Sequence, residues 1–270
     1  MTAVELPVPP LRRRRSQPID RFLLPGGFVL ALVLLQEALT RSGTLPADYF
    51  PPASEILGAL GRELGGTSLL GAVSHTVSTW LIALVIAVVL GTAVGILLGL
   101  VVPLEAFLRP VIEFLRPVPS VALIPLVVLT IGTGSGSALF LAVFAAFWQV
   151  LVPAIAGVRA AHPVALDTAR SYSFSLAQRI RWIQLPTMLP YLATATRLAT
   201  STSLILVVTA EIIIQMPGIG YEIAMSRSAG NPARMYAYIA LSGMAGILLN
   251  QLVRRVENRI LASHGHGGTS

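Results

Sequence analysis

The apolar segment 190–214 carries the side chain with the clearest chemical potential, Glu211. Glu211 and Glu37 are the only acidic residues inside long apolar runs, and Glu37 lies near the end of its run. An ionisable group at membrane depth is costly, so it normally faces a cavity or a partner. Arg197 lies roughly four turns away along the same helix, too far to be that partner. Glu211 could therefore gate a path or contact a solute, or it could be fixed by a structural hydrogen bond or ion pair.

The same segment is rich in hydroxyl side chains, which could line a polar path beside Glu211. Hydroxyls in a helix can instead bond to carbonyl oxygens of the preceding turn. The sequence leaves both alternatives open. The strongest candidates for a path or gate, together with Glu211, are Thr200, Ser203 and Thr209.

Several kinds of chemistry are excluded by residues that the chain lacks. There is no cysteine, which removes thiolate metal sites and cysteine nucleophiles. All 19 cationic residues are arginine, and a phosphate-binding P-loop needs a lysine. The four histidines lie in polar segments without metal-ligand spacing. We therefore expect no catalytic residue, no metal site and no cofactor bound by this chain.

The polar segment 159–187 is the second candidate site. On a helical period its apolar residues form a stripe, which must meet the chain's own helix ends or a partner protein because the segment lies outside the bilayer. Arg170, Arg179 and Arg181 could pair with acidic groups of such a partner, or simply hold the segment on one side of the membrane. The stripe contains Leu166, Ala169, Ser173, Leu176, Ala177 and Ile180.

The elements that position both sites are predicted to be membrane-spanning helices. Hydrophobic residues make up 54% of the chain and charged residues 11%, against about a quarter charged in soluble domains. Runs of ~20 apolar residues are long enough to cross a bilayer. We predict an all-α membrane protein with about six spans within residues 22–260. The predicted spans are about 22–40, 79–102, 119–132, 137–158, 190–214 and 235–253.

The remaining segments are predicted to be polar. They are a tail over 1–21, an amphipathic helix near 54–64, a link over 103–119, a Pro-Gly loop over 215–234 and a flexible tail over 261–270. Within the second span, Gly91, Gly95 and Gly99 recur every four residues. This spacing predicts a face on which another helix backbone approaches closely.

The arginines indicate the orientation. With six spans, fourteen arginines lie on the side of the two termini and the 159–187 segment, and four lie on the opposite side. Because cytoplasmic loops retain positive charge, this distribution predicts cytoplasmic termini. The net charge of +7 is then explained by orientation rather than by nucleic-acid binding.

The 159–187 segment also matches a known pattern. Asp167-Thr168-Ala169, three residues, Ser173, nine residues and then Ile183-Gln184-Leu185-Pro186 resembles the EAA loop of bacterial ABC-importer permeases. Asp167 stands in place of Glu, Thr168 in place of Ala, and Ser173 in place of a Gly that lets the chain bend between two short helices. Ser173 must accept this bend or straighten it.

The resemblance covers about residues 45–260 and is closest to the nitrate, sulfonate and taurine branch. It includes an external segment at 45–57 and the sequence Leu-Arg-Pro-Val-Pro at 115–119. It also includes Ala210-Glu211 with the following Pro-Gly-Ile-Gly-Tyr at 217–221.

This resemblance implies a type I ABC-importer transmembrane domain in the inner membrane of a bacterium. It implies that residues 159–187 form a coupling loop that docks on a separate ATPase, and that the chain pairs with a second copy. Two ATPases holding ATP and Mg, an external solute-binding protein and the lipid bilayer would be the other partners. The solute would be a small anionic or polar molecule such as a sulfonate, nitrate or related organic acid. The implied coupling residues are Asp167, Thr168, Ala169, Ser173, Phe174, Ile183, Leu185 and Pro186.

Two other functions were weighed from the sequence. An ion-gradient-driven secondary transporter would show internal repeats and ionisable residues at the midplane, and no convincing repeat is present. An intramembrane enzyme would need convergent catalytic side chains, whereas the spans offer Glu211 almost alone.

Overall fold

The computed structural model describes residues 20–264, with side chains described for residues 26–259. All regular elements in this part are helices. The chain divides into two compact units, residues 1–55 and 56–270. Most of the predicted tail 1–21, and residues 265–270 of the predicted tail 261–270, lie outside the described residues.

The first unit contains α1 (Asp20–Arg41), which coincides with the predicted span 22–40. The chain then turns back, so that the hydroxyl of Thr40 donates to the carbonyl of Phe50 at 3.0 Å. Glu37 accepts hydrogen bonds from the Ser54 N–H at 3.0 Å and from Arg41 at 2.6 Å. The Glu37 carboxylate therefore has its hydrogen-bond partners within its own unit.

The second unit is a bundle of helices joined by short turns. It also contains a 3₁₀ turn (Ser120–Leu123) and a π-helical turn (Ile180–Gln184). The helices are α2 (Ala53–Leu64, which begins just before the boundary between the units), α3 (Thr67–Leu100), α4 (Val102–Leu115), α5 (Ile124–Ile131), α6 (Ser135–Arg159), α7 (Pro163–Ser171), α8 (Leu176–Arg179), α9 (Leu185–Ile214), α10 (Ile219–Ser228) and α11 (Pro232–His264).

Four stretches of the described chain are long and apolar enough to cross a membrane. A fifth is formed if α4 and the segment Ser120–Ile131, which meet at a bend of 82°, count as one broken span. The molecule is therefore a multi-pass helical membrane protein, and the predicted number of about six spans is approximate. The four stretches are Thr67–Leu100, Ser135–Arg159, Leu176–Ser228 and Pro232–Arg259.

Helical structure extends further than the sequence predicts. α3 begins at Thr67 rather than near 79, because the polar turns that precede the apolar run are helical too. The predicted link 103–119 is mostly the amphipathic helix α4. The predicted loop 215–234 contains α10, and α11 continues to His264. These differences have one cause: hydropathy marks the part of a helix that lies in hydrocarbon and misses the polar turns beyond it.

The core of the second unit is built on α6, which packs along both α3 and α9. The predicted glycine face of α3 meets α6. A methyl group on Gly91 would lie 2.8 Å from Cβ of Val150, and one on Gly99 would lie 2.6 Å from Cβ of Val158. A methyl group on Gly95 would overlap Ala154. The predicted close approach is confirmed, and α6 is the approaching helix.

Candidate functional site

Glu211 lies at a buried meeting point of α3, α9 and α10, and its exposed fraction is 0%. The Thr76 hydroxyl donates to the two carboxylate oxygens at 2.8 and 3.0 Å. The Gly220 N–H donates to Oε2 at 2.9 Å. The Thr76 oxygen in turn accepts the Ile219 N–H at 2.9 Å. We call these four residues, Thr76, Glu211, Ile219 and Gly220, the carboxylate junction.

The carboxylate junction supplies hydrogen-bond acceptors to the N–H groups at the start of α10. The first N–H groups of a helix have no acceptor within the helix, and its positive dipole end favours a carboxylate. The chain can approach this closely only without side chains. A methyl group on Gly218, whose φ is +153°, would overlap the Glu211 carboxylate, and one on Gly220 would overlap the carbonyl of Val208. The described contacts of Glu211 are therefore those of a structural lock.

The hydroxyl candidates on α9 bond to their own helix. Thr200 donates to the carbonyl of Thr196 at 2.8 Å, Ser203 to that of Ala199 at 2.7 Å, and Thr209 to that of Ile205 at 2.7 Å. This is the back-bonding alternative that the sequence left open. A role for these residues in a solute path stays a prediction.

A groove of about 460 Å³ lies between α9 and α11, and only some of the predicted path or gate residues line it. Thr200 and Thr209 line it, together with Asn250 of α11. Ser203 is buried behind it, and Glu211 is not among its lining residues. The structure therefore does not bring Glu211 together with the hydroxyl candidates.

Arg197, which the sequence left without a partner, pairs with a carboxylate on α11. Its Nη2 lies 3.1 Å from Oε2 of Glu257, which is buried. Sequence analysis missed this pair because 60 residues separate the two. One signal was available: Glu257 is the only acidic residue within α11.

A second missed cluster joins α2, α10 and α11. Glu63 accepts hydrogen bonds from Arg234 at 2.8 Å and from the Tyr238 hydroxyl at 2.6 Å. Arg234 also contacts Glu222 at 3.0 Å. Burial raises the pKa of Glu63, but the hydrogen bonds from Tyr238 and Arg234 outweigh it, so the pKa lies below its usual value. The cluster ties the end of α2 and the start of α11 to the first turn of α10.

Residues 163–184, here called the elbow, connect α6 to α9 by two short helices. α7 ends at Ser171, and Ser173 turns the chain with φ of +58°, a conformation that favours glycine. Ser175 then begins α8 with a capping box: its hydroxyl accepts the Gln178 N–H, and its own N–H donates to Oε1 of Gln178 at 2.8 Å. Ser173 therefore accepts the bend.

The turn at Ser173 divides the predicted apolar stripe. Ala169 is buried within the chain at 5% exposure, whereas Leu176 and Ala177 are exposed. Two aromatic residues beside the turn are also exposed, Tyr172 at 75% and Phe174 at 39%. Trp182 is a third exposed aromatic residue of the elbow. We call Tyr172, Phe174 and Trp182 the exposed aromatic set.

The other predicted coupling residues lie at the surface or close to it. Asp167 is exposed and pairs with Arg170 at 2.9 Å. Ile183 is half-buried at the π-helical turn. Thr168, Leu185 and Pro186 are exposed.

The described side chains contain no group of three or more His, Cys, Asp or Glu that could hold a metal ion. Of the four histidines, His75 lies on α3 and His162 just before α7. The side chains of His264 and His266 lie outside the described residues.

Known proteins resemble this chain over more than half of its length. It is 33% identical over 164 residues to the taurine transport system permease protein TauC of Escherichia coli (strain K12), covering 60% of this chain and 58% of that protein. It is 29% identical over 157 residues to the putative aliphatic sulfonates transport permease protein SsuC of Bacillus subtilis (strain 168), covering 58% and 57%. The match thus spans less than two thirds of these relatives.

The fold resembles a solved structure. A chain of the MetNI methionine ABC transporter, in an inward-facing conformation, superposes with a TM-score of 0.61 at 18% identity. The superposition covers 73% of this chain and 96% of that one. At this identity the likeness establishes the fold.

The profile of one protein family matches residues 87–262, a range that contains the elbow and Glu211. The chain therefore belongs to the family of binding-protein-dependent transport system inner membrane components.

Proposed function

We propose that the chain is the membrane-spanning permease subunit of an ABC importer for a small anionic or polar solute, such as a sulfonate, nitrate or a related organic acid. The permease forms the translocation path, and ATP is hydrolysed on a separate subunit. Membership of the family supports this proposal. The fold that the chain shares with a methionine ABC transporter supports it as well.

The exposed aromatic set of the elbow carries the proposal. Tyr172, Phe174 and Trp182 are exposed on the polar segment that connects α6 to α9. Exposed aromatic residues grouped in this way are typical of protein interaction sites. The chain has no lysine for a P-loop, so an ATP-driven importer needs a separate ATPase subunit, and we assign the elbow as its docking site.

The proposed assembly contains two copies of this chain, two ATPases that bind ATP and Mg, and an external solute-binding protein. The fourteen-to-four distribution of arginines supports an inner-membrane orientation with the termini and the elbow in the cytoplasm. Relatives named for transport of taurine and nitrate support a small anionic or polar solute.

Within this proposal the two candidate sites of α9 have different roles. The carboxylate junction acts as a latch that holds α10 against α3 and α9. Thr200 and Thr209 face the groove toward α11 and line the solute path there. Ser203 supports the same helix from its buried side.

Reconstituted uptake tests the proposal. The chain is inserted into liposomes with an ABC ATPase and a solute-binding protein of the same organism, and supplied with labelled taurine, sulfonates or nitrate. We expect uptake only when ATPase, ATP and binding protein are all present, and none with an ATPase inactivated in its P-loop. Uptake by the chain alone, driven by an ion gradient, would instead identify a secondary transporter.

A further inference from the structure

Helix α4 carries an exposed apolar stripe. Phe107, Val111 and Phe114 follow one another at intervals of four and three residues, which places them on one side of the helix. Phe107 is 78% exposed and Phe114 is 75% exposed. Grouped apolar side chains that a chain leaves this open mark a surface that contacts another protein or a membrane. We call these three residues the α4 stripe.

The other side of α4 is charged and is turned toward the bundle. Its four charged residues line a cavity of about 790 Å³ whose opposite wall is α6. In water, an amphipathic helix packs its apolar side against its own protein and turns its charged side outward. α4 does the reverse, which indicates an apolar medium on its outer side. The charged residues are Glu105, Arg109, Glu113 and Arg116.

The contacts at the two ends of α4 place it at a surface of the bilayer. Arg159 ends the span α6, and it lies 3.5 Å from Glu105, so the first turn of α4 is level with that end. Pro117 and Pro119 interrupt the helix, and the segment Ser120–Ile131 follows at a bend of 82°. α4 is roughly 21 Å long, which is too short to cross ~30 Å of hydrocarbon. With this bend, α4 cannot run parallel to an apolar segment that enters the bilayer.

Lipid fits the α4 stripe better than a second copy of the chain does. The side chains of the stripe offer no hydrogen-bonding group, whereas protein interfaces carry about one hydrogen bond per 100–200 Å². The stripe also continues the exposed apolar surface of its neighbours, since Leu97 of α3 is 51% exposed and Leu129 of α5 is 85% exposed. Helices with one apolar side and one strongly charged side are typical of membrane interfaces.

We propose that α4 lies along the membrane surface on the side of the elbow, with Phe107, Val111 and Phe114 inserted among lipid acyl chains and its charged side toward α6. The contact between Glu105 and Arg159 then holds the end of α6, from which the chain enters the elbow, at the depth of this surface. The partner of the stripe is lipid, and the inference does not depend on the proposed transport function.

Site-directed spin labelling of the full chain in lipid nanodiscs tests the proposal. Because the chain contains no cysteine, each introduced cysteine is the only labelling site. Labels at Phe107→Cys and Phe114→Cys report on the stripe, Glu113→Cys is the matched control on the charged side, and Leu129→Cys is an exposed apolar reference. Electron paramagnetic resonance measures how often each label collides with oxygen, which concentrates in lipid, and with a water-soluble nickel chelate. We expect oxygen collisions to prevail at both stripe positions, as at Leu129→Cys, and nickel collisions to prevail at Glu113→Cys.

Three outcomes would overturn the proposal. Prevailing nickel collisions at Phe107→Cys and Phe114→Cys would place the stripe in water. Low collision rates with both reagents would show that protein covers the stripe, and dipolar broadening between labels would identify that protein as a second copy. Prevailing oxygen collisions at Glu113→Cys as well would place all of α4 in hydrocarbon, as part of a broken span. Val111→Cys replaces either aromatic variant that fails to fold by size exclusion.

Discussion

The side chains at the two ends of α9 differ in their burial and in their hydrogen-bond partners. Near its last turns, Glu211 is buried, and its carboxylate is met by the Thr76 hydroxyl and the Gly220 N–H. Before its first turn, the elbow exposes Tyr172 and Phe174 and leaves the buried polar groups of Arg179 and Gln184 without partners in the described chain. The chain itself supplies the partners at one end, whereas the other end exposes the aromatic residues that we propose as a docking surface.

Substitutions can test whether the two ends of α9 have different roles. Substitutions at the carboxylate junction should change the stability of the isolated chain. Substitutions of exposed groups at the elbow should leave that stability unchanged and alter assembly. Four substitutions examine this distinction, in order of decreasing effect.

Gly220→Ala should have the largest effect. The added methyl group would overlap the carbonyl of Val208 and the side chain of Glu211, and neither backbone can move without disturbing α9. Overpacking of this kind costs about 3 kcal/mol. Thermal unfolding in detergent, followed by intrinsic fluorescence, measures the loss.

Gly71→Ala is the matched control for this substitution. Gly71 lies in α3, and no atom lies within 4 Å of a methyl group placed there. Alanine is the better helix former by about 1 kcal/mol, so this variant should be as stable as the wild type or more so. Equal destabilisation by both substitutions would show that the junction is not tightly packed.

Thr76→Val should cost about 2 kcal/mol, because the valine has the same shape but neither donates to Glu211 nor accepts from Ile219. Thr209→Val removes a hydroxyl that bonds only to the carbonyl of Ile205, in its own helix. This control should change the free energy of unfolding by less than about 0.5 kcal/mol. If the two variants unfold alike, Glu211 does not depend on Thr76.

Phe174→Asp should cost the isolated chain less stability than either junction substitution, since the side chain is 39% exposed. It should weaken association with the ATPase roughly tenfold, because a central aromatic anchor is replaced by a charge. Quantitative co-purification measures this change. Tyr49→Asp alters an exposed aromatic residue in the other unit and should not affect ATPase association. Normal association of Phe174→Asp would remove the docking role of the elbow.

Ser173→Gly should have the smallest effect and the opposite sign. Glycine adopts the φ of +58° without steric cost, so the variant should gain about 1 kcal/mol in the stability of the elbow. Ser171→Gly, in the last turn of α7, should instead lose about 0.5–1 kcal/mol. Hydrogen exchange of the elbow amides distinguishes the two. Faster exchange in Ser173→Gly would show that the turn is not strained.

Local patterns in the sequence predicted much of the molecule. Four-residue spacing of Gly91, Gly95 and Gly99 predicted a helix contact that the structure confirms. The spacing from Asp167 to Pro186 predicted the family that the profile match establishes. These features could be found because both the pattern and its meaning lie within one short segment.

Long-range pairings could not be found in the same way. One partner of Glu211 is Thr76, 135 residues away, and the partner of Arg197 is Glu257, 60 residues away. Neither pair leaves a periodic trace in a single sequence. α10 was missed for a different reason: Pro217 and Gly218 indicate a turn, and the ten-residue helix that follows is too polar to be recognised by hydropathy.

The contact between α3 and α6 limits how this bundle can move. Val150, Ala154 and Val158 each occupy the space above one glycine of α3, so displacement of one helix along the other by less than a full turn, about 5.4 Å, would bring side-chain carbons into collision. The close contact therefore opposes sliding of α3 along α6. Within the proposed transport function, the groove between α9 and α11 is a place where the packing is open enough for one helix to move against another.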